Sequence, residues 1–161
     1  MISANADQRV LGYLGRALSL ELSAVQLYST QARLVEAWGL AEVAGKFSSE
    51  ASEELGHAER IISRMLALGA APNASQLRPV RLGSNLEELL QHDHEFENVL
   101  IGLYQEATRH CAREGDHDNR VFFEALLAEE QAHAQELKQW LQQLHQTDKP
   151  VSKSKVTTNG G

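Results

Sequence analysis

At 161 residues the chain is too short for two ordinary domains and long enough to bury one sizeable core. It carries 15 lysines and arginines against 22 aspartates and glutamates, and the resulting net charge of −7 argues against nucleic-acid or anionic-membrane partners and in favour of cations. With Cys111 its only cysteine, no apolar run of about 18 residues and no secretory leader at its start, it is expected to be cytoplasmic, without an internal disulfide or a membrane partner.

Three prolines, at 72, 79 and 150, leave long stretches free for helix. The first helix shows Leu14, Leu18, Glu21, Val25, Tyr28 and Ala32 at steps of four and three, which is one helical face, and it pauses near Trp38 and Gly39. A second stripe, Phe47, Glu50, Glu54, His57, Ile61, Met65 and Leu68, predicts an antiparallel neighbour stopped by Gly69 and Pro72. Residues 70–83 hold both interior prolines and no helical period, so they read as a long connection. Ser84 or Asn85 caps a third helix, with Glu87 and Glu88 in its first turn and a stripe through Leu86, Leu90, Asp93, Glu97, Leu100, Tyr104, Ala107 and Cys111. A turn around Gly115 leads into the fourth, through Phe123, Leu126, Glu130, His133, Leu137, Trp140 and Leu144. The remaining segment, with three lysines, a proline and two valines, cannot pack a fifth helix, so 1–147 is expected to form the folded unit and 148–161 a disordered tail. Short turn, long crossover and short turn, with no strand candidate, predict an all-α four-helix bundle connected in the ferritin-like way.

The polar residues of these stripes repeat. Glu21, Glu54 and His57 each have a partner of the same type 76 residues further on, Glu97, Glu130 and His133, and Tyr28 and Tyr104 keep the same offset. That offset maps the first helix onto the third and the second onto the fourth, giving two half-sites. Ionised carboxylates buried at one level of a bundle cost roughly several kcal/mol each without counter-charges, and two divalent cations supply four positive charges against four glutamates. Carboxylate and imidazole donors without thiolates suit iron or manganese and accept zinc. Glu-x-x-His sets both donors on one helical face a turn apart, so that the pair holds one metal while its carboxylate bridges to the next. Each tyrosine lies two turns beyond its glutamate, placed to hydrogen-bond a ligand carboxylate across the bundle. A third match, Glu114 with His117, falls in the Gly115 turn and is set aside.

Other polar groups carry weaker signals. His92 and His94 read as solvated, His110 and His145 as cations favoured near helix C-termini, and Cys111 as a small apolar residue near a helix end. Glu50, Glu53 and Glu129 flank the candidate centre, either collecting cations or as solvated charge.

Over residues 8–144 the chain resembles the bacterioferritins, through the segments SLELSAVQLY, WGL, EELGHAERII, PNASQLRPVRLGSNLEELL, HDHEFE and LLAEEQAH. The resemblance implies two iron ions per subunit, Glu54 and Glu130 bridging them, and Glu21 with His57 and Glu97 with His133 completing the terminal sets. It also implies oxidation of Fe(II) by O2 or H2O2 and storage of the ferric product in a shell of two-fold dimers, a 24-mer in the family's usual form.

Three departures qualify it. Leu55 stands where the family has the methionine that ligates a haem shared across the two-fold, and an isobutyl group is no iron ligand, so haem is not expected here. The polar tail replaces the family's short fifth helix. Ser49 stands where the family often has an iron-handling histidine, and Gly69 and Gln135 stand where relatives can carry acidic pore residues. Three functions compete on these grounds. One is a haem-free ferroxidase and store, alone or mixed with a haem-bearing bacterioferritin paralogue. Another is a dimeric dinuclear oxidase or peroxidase that stores nothing. The third is a carrier that holds zinc or manganese inertly.

Overall fold

The computed structural model describes residues 7–74 and 76–147, so the tail expected at 148–161 lies outside the described residues. It contains four helices, α1 (Gln8–Ala37), α2 (Ala41–Ala67), α3 (Leu86–Glu114) and α4 (His117–Thr147), and no strand among the described residues. Glu114 and His117 close one helix and open the next, which disposes of the third Glu-x-x-His match.

Local chemistry explains where the helices begin and end. The Asp7 carboxylate accepts from the Arg9 N–H at 2.8 Å to start α1. Asn85, rather than Ser84, caps α3: its side chain accepts from the Glu88 N–H at 2.9 Å, while the Glu88 carboxylate turns back to the Ser84 N–H at 2.8 Å. The Asp116 carboxylate accepts from the Asn119 N–H at the start of α4. At the end of α1, the Leu40 N–H returns to the Val35 carbonyl and the Gly39 N–H to that of Glu36. At the end of α3, Asp116 and Gly115 return in the same way to Cys111 and Ala112. Gly39 at φ 83 and Gly115 at φ 67 occupy the left-handed conformation these stops require, where a Cβ is strained.

Pairing across the bundle fixes the helix directions. Tyr28 meets Glu97 and Tyr104 meets Glu21, so α1 runs antiparallel to α3; His57 meets Glu130 and Arg64 meets Asn119, so α2 runs antiparallel to α4. The long crossover is tied to α1 where the Arg78 N–H donates to Ser23 Oγ at 2.9 Å. Two apolar clusters fill the ends of the bundle, one around Tyr13, Leu14, Leu18, Ile61, Leu100 and Phe123, the other around Val35, Phe47, Leu89, Leu90 and Leu137. Each such side chain, fully buried, contributes roughly 1.5–3 kcal/mol. Between the clusters lies a layer of buried polar groups.

Candidate metal centre

Each helix delivers one glutamate to that layer: Glu21 from α1, Glu54 from α2, Glu97 from α3 and Glu130 from α4, all fully buried. His57 and His133, one turn beyond Glu54 and Glu130, are buried beside them. The six form two overlapping groups, Glu21, Glu54, His57, Glu130 and Glu54, Glu97, Glu130, His133, whose donor atoms lie within 4.8 Å of one another. Only Glu54 and Glu130 belong to both. His57 Nδ1 lies 2.8 Å from Glu130 Oε1, 3.4 Å from Glu21 Oε1 and 3.6 Å from Glu54 Oε2. His133 Nδ1 lies 2.9 Å from Glu54 Oε1 and 3.6 Å from Glu130 Oε2. Each imidazole thus faces the carboxylate of the opposite helix as well as its own.

The residues fit a pair of divalent cations. Glu21 Oε2, both Glu54 oxygens, Glu97 Oε2, Glu130 Oε2 and His133 Nδ1 are buried and find no hydrogen-bond partner beyond the close contacts among these carboxylates and imidazoles themselves. Orphaned buried acceptors are costly, and convergent oxygen and nitrogen donors without sulfur suit first-row divalent ions.

A surrounding layer aims these donors. Tyr28 Oη donates to Glu97 Oε1 at 2.7 Å and Tyr104 Oη to Glu21 Oε1 at 2.6 Å, the cross-bundle bonds that the tyrosine spacing predicts. His57 Nε2 lies 3.3 Å from Glu129 Oε2, which Arg60 Nη1 holds at 2.5 Å; His133 Nε2 hydrogen-bonds Glu53. Two of the flanking carboxylates therefore hold the outer imidazole nitrogens and turn Nδ1 inward, a role beyond solvated charge. Glu50 Oε2 approaches His133 Nδ1 at 3.5 Å.

Burial disfavours imidazolium, yet hydrogen bonds to Glu130, Glu21 and Glu54 outweigh it at His57, as those to Glu130 and Glu54 do at His133, and both are pushed up to about 12. Burial, then the neighbouring Glu21, lifts Glu54 to about 8, and burial is also the main cause that raises Glu97 and Glu130. Glu21 goes the other way, because hydrogen bonds with Glu54 and His57 more than offset its burial. Burial raises Tyr28 and Tyr104 far above 10 and keeps them as protonated donors. Protons thus share the counter-charge role that the sequence argument gave to metals alone.

Some pairings were not legible beforehand. Gln31 Nε2 donates to Asp93 Oδ1 at 2.6 Å, and both residues are fully buried; burial, opposed by that bond, lifts the Asp93 carboxyl well above its ordinary value. The available signal was a glutamine three residues after Tyr28. His110, near the end of α3 as expected, is 5% exposed, with Nε2 2.6 Å from Asp7 Oδ2 at the start of α1. His145 pairs with Glu87 at 2.7 Å, and His92 and His94 are half-buried and lie outside the groups of candidate donors.

Comparison with known proteins agrees with this architecture. The ferritin-like domain family matches residues 11–147. The chain is 41% identical over 127 residues to a bacterioferritin of Rhodobacter capsulatus and 35% identical over 127 residues to one of Brucella melitensis, in both cases over 79% of each chain. It is 34% identical over 126 residues to a bacterial ferritin of Synechocystis, over 78% of this chain and 81% of that one. A solved structure of Rhodobacter capsulatus bacterioferritin, described with a metal-free dinuclear site and a haem iron in a crystallographic special position, superposes with a TM-score of 0.85. It is 37% identical, over 88% of this chain and 89% of that chain. With four helices, a long crossover and these relatives, the chain belongs to the ferritin-like family and, within it, to the bacterioferritins, iron-storage proteins of that fold.

Proposed function

We propose that the chain is a haem-free ferroxidase and storage subunit. It binds two Fe(II) ions at Glu21, Glu54, His57, Glu97, Glu130 and His133, and a shell of its own copies holds the ferric product. The observation that carries this reading is the convergence of six buried donors in two groups that share Glu54 and Glu130. Iron is here both substrate and cargo: two Fe(II) ions supply two electrons, which with two protons reduce O2 to H2O2 or H2O2 to two waters. The chain's own part is to bind, orient and exclude water. Tyr28 and Tyr104 each fix one oxygen of a terminal glutamate and leave the other free, Glu53 and Glu129 hold the outer imidazole nitrogens, and the apolar clusters keep bulk water from both ends. Because His57, His133 and Glu54 hold protons at neutral pH, loading the site releases them.

Haem does not fit this chain's own residues. The α1–α2 groove beside Leu55 includes Val25, Arg33, Glu36, Ser48 and Ser52 and offers no thioether, imidazole or thiolate. Among the described residues the one methionine, Met65, is buried in the core. Leu55, 43% exposed, is proposed instead as packing at a two-fold contact, with a second copy or with a haem-bearing bacterioferritin paralogue. Among the described residues no helix is long and apolar enough to cross a membrane; the cytoplasm is the proposed place of action.

Loading the purified protein with Fe(II) under air, with mass by light scattering and iron per chain as readouts, tests the storage reading. A mass near 24 subunits with many irons per chain is expected. A small oligomer holding about two irons per chain would keep the oxidation chemistry and remove storage. Absence of Fe(II)-dependent oxygen uptake would favour the inert carrier.

A further inference from the structure

The two half-sites offer the same donors, so any difference between them comes from their surroundings. The 76-residue offset extends to those surroundings and fails there in one direction. Glu53 and Glu129 obey it, one outside each imidazole. Beyond them, Arg60 corresponds to Glu136, Leu126 to Glu50 and Ala17 to Asp93. On the His57 side, Arg60 pairs with Glu129 and cancels its charge, while Leu126 and Ala17 are fully buried apolar residues. Glu136 stands where the arginine would be; it lines the cleft that both imidazoles and Arg60 share, and it lies near enough to Glu50, on the His133 side, for its charge to act there. There Glu50 Oε2 is buried without a hydrogen bond, 3.5 Å from His133 Nδ1. Asp93, buried with Oδ2 also unpartnered, lies near enough to Glu97 and Glu50 for their charges to act on it. One half thus gains a cation and two apolar residues where the other gains three carboxylic groups.

We infer that the two halves of the centre fill in order, the first divalent cation going to the Glu97 and His133 half and the second to the Glu21 and His57 half, with Arg60 and Glu136 setting the difference. The inference rests on the dinuclear metal reading proposed above. Glu54 and Glu130 are common to both halves and cannot discriminate, whereas a fixed positive charge beside one half and added negative charge beside the other do. Arg60 is 41% exposed, so solvent screens its share, and the difference in affinity between halves is on the order of tenfold.

Anaerobic crystals carrying one cobalt(II) per chain, read by anomalous diffraction, measure the ratio directly. With one cobalt shared between two independent sites that differ about tenfold in affinity, the anomalous density at the His133 half of the native protein is expected to exceed that at the His57 half about threefold. The double variant Arg60→Glu with Glu136→Arg exchanges two exposed side chains at constant net charge and is expected to level or reverse the ratio. Equal density in the native protein, a native preference for the His57 half, or a ratio unchanged by the exchange would overturn the inference. Native crystals with excess cobalt that show no density in either half would overturn the dinuclear reading as well, and so separate the two failures.

Discussion

The apolar ends of this bundle and the polar layer between them are built on the same four helices and answer to different requirements. At the ends, Leu14, Phe123, Phe47 and Leu90 satisfy a helical stripe by removing hydrocarbon from water. In the middle, the same stripes carry four fully buried carboxylates and six donor atoms with no partner outside the cluster, an arrangement that leaves its charge to be balanced by cations or protons. The contrast teaches that fold and chemistry reside in different layers of one helix, and that each can be altered with limited effect on the other.

Four measurements test that division. Glu130→Ala removes an oxygen donor shared by both groups, so fast Fe(II) oxidation should fall by at least about a hundredfold while far-UV circular dichroism still reports the four helices. Retained native rates would refute the assignment of Glu130. Phe123→Ala, in one apolar end, should lower stability by about 3–5 kcal/mol in a denaturant titration and leave cobalt stoichiometry unchanged; lost stoichiometry would show that the layers are not separable.

The third concerns pH. His57 and His133 are raised from 6.5 to about 12 and Glu54 from 4.5 to about 8. For groups whose folded values are raised, the stabilisation is complete below the unfolded value and lost as pH climbs towards the folded one. The metal-free protein should therefore melt at progressively lower temperature from about pH 6 to pH 9, whereas cobalt, by displacing those protons, should flatten the dependence. A metal-free melting temperature that rises over this range would contradict the proton-held cluster. The smallest effect belongs to Asp7→Ala, which removes a cap and the His110 partner and should cost about 1 kcal/mol without changing oxidation. An unchanged denaturant midpoint would deny the cap its role.

Much of the buried polar layer was legible because an internal repeat is a sequence-level signal of three-dimensional proximity. Six donors and two tyrosines at one offset required four helices meeting at one level, and the helix ends were marked by Gly39, Gly69 and Gly115. What stayed hidden depends on cross-bundle neighbours with no repeated partner. Gln31 meets Asp93 because antiparallel α1 and α3 bring residues 62 apart together, and His110 finds Asp7 at a separation of 103. Arg60 and Glu136 sit at the same offset as the six buried donors, but opposite charges do not read as a repeat until the shared cleft shows what they flank. The orientation of each imidazole was likewise invisible, since Glu53 and Glu129 select its inward nitrogen only through contacts between α2 and α4.

The central claim is that two Fe(II) ions react together at one buried centre. Stopped-flow oxidation of Fe(II) by limiting additions to the metal-free protein tests it most directly. A fast phase whose amplitude grows linearly and saturates at about two irons per chain is the predicted result. An amplitude that saturates at one iron per chain, or that grows without a break, would contradict it.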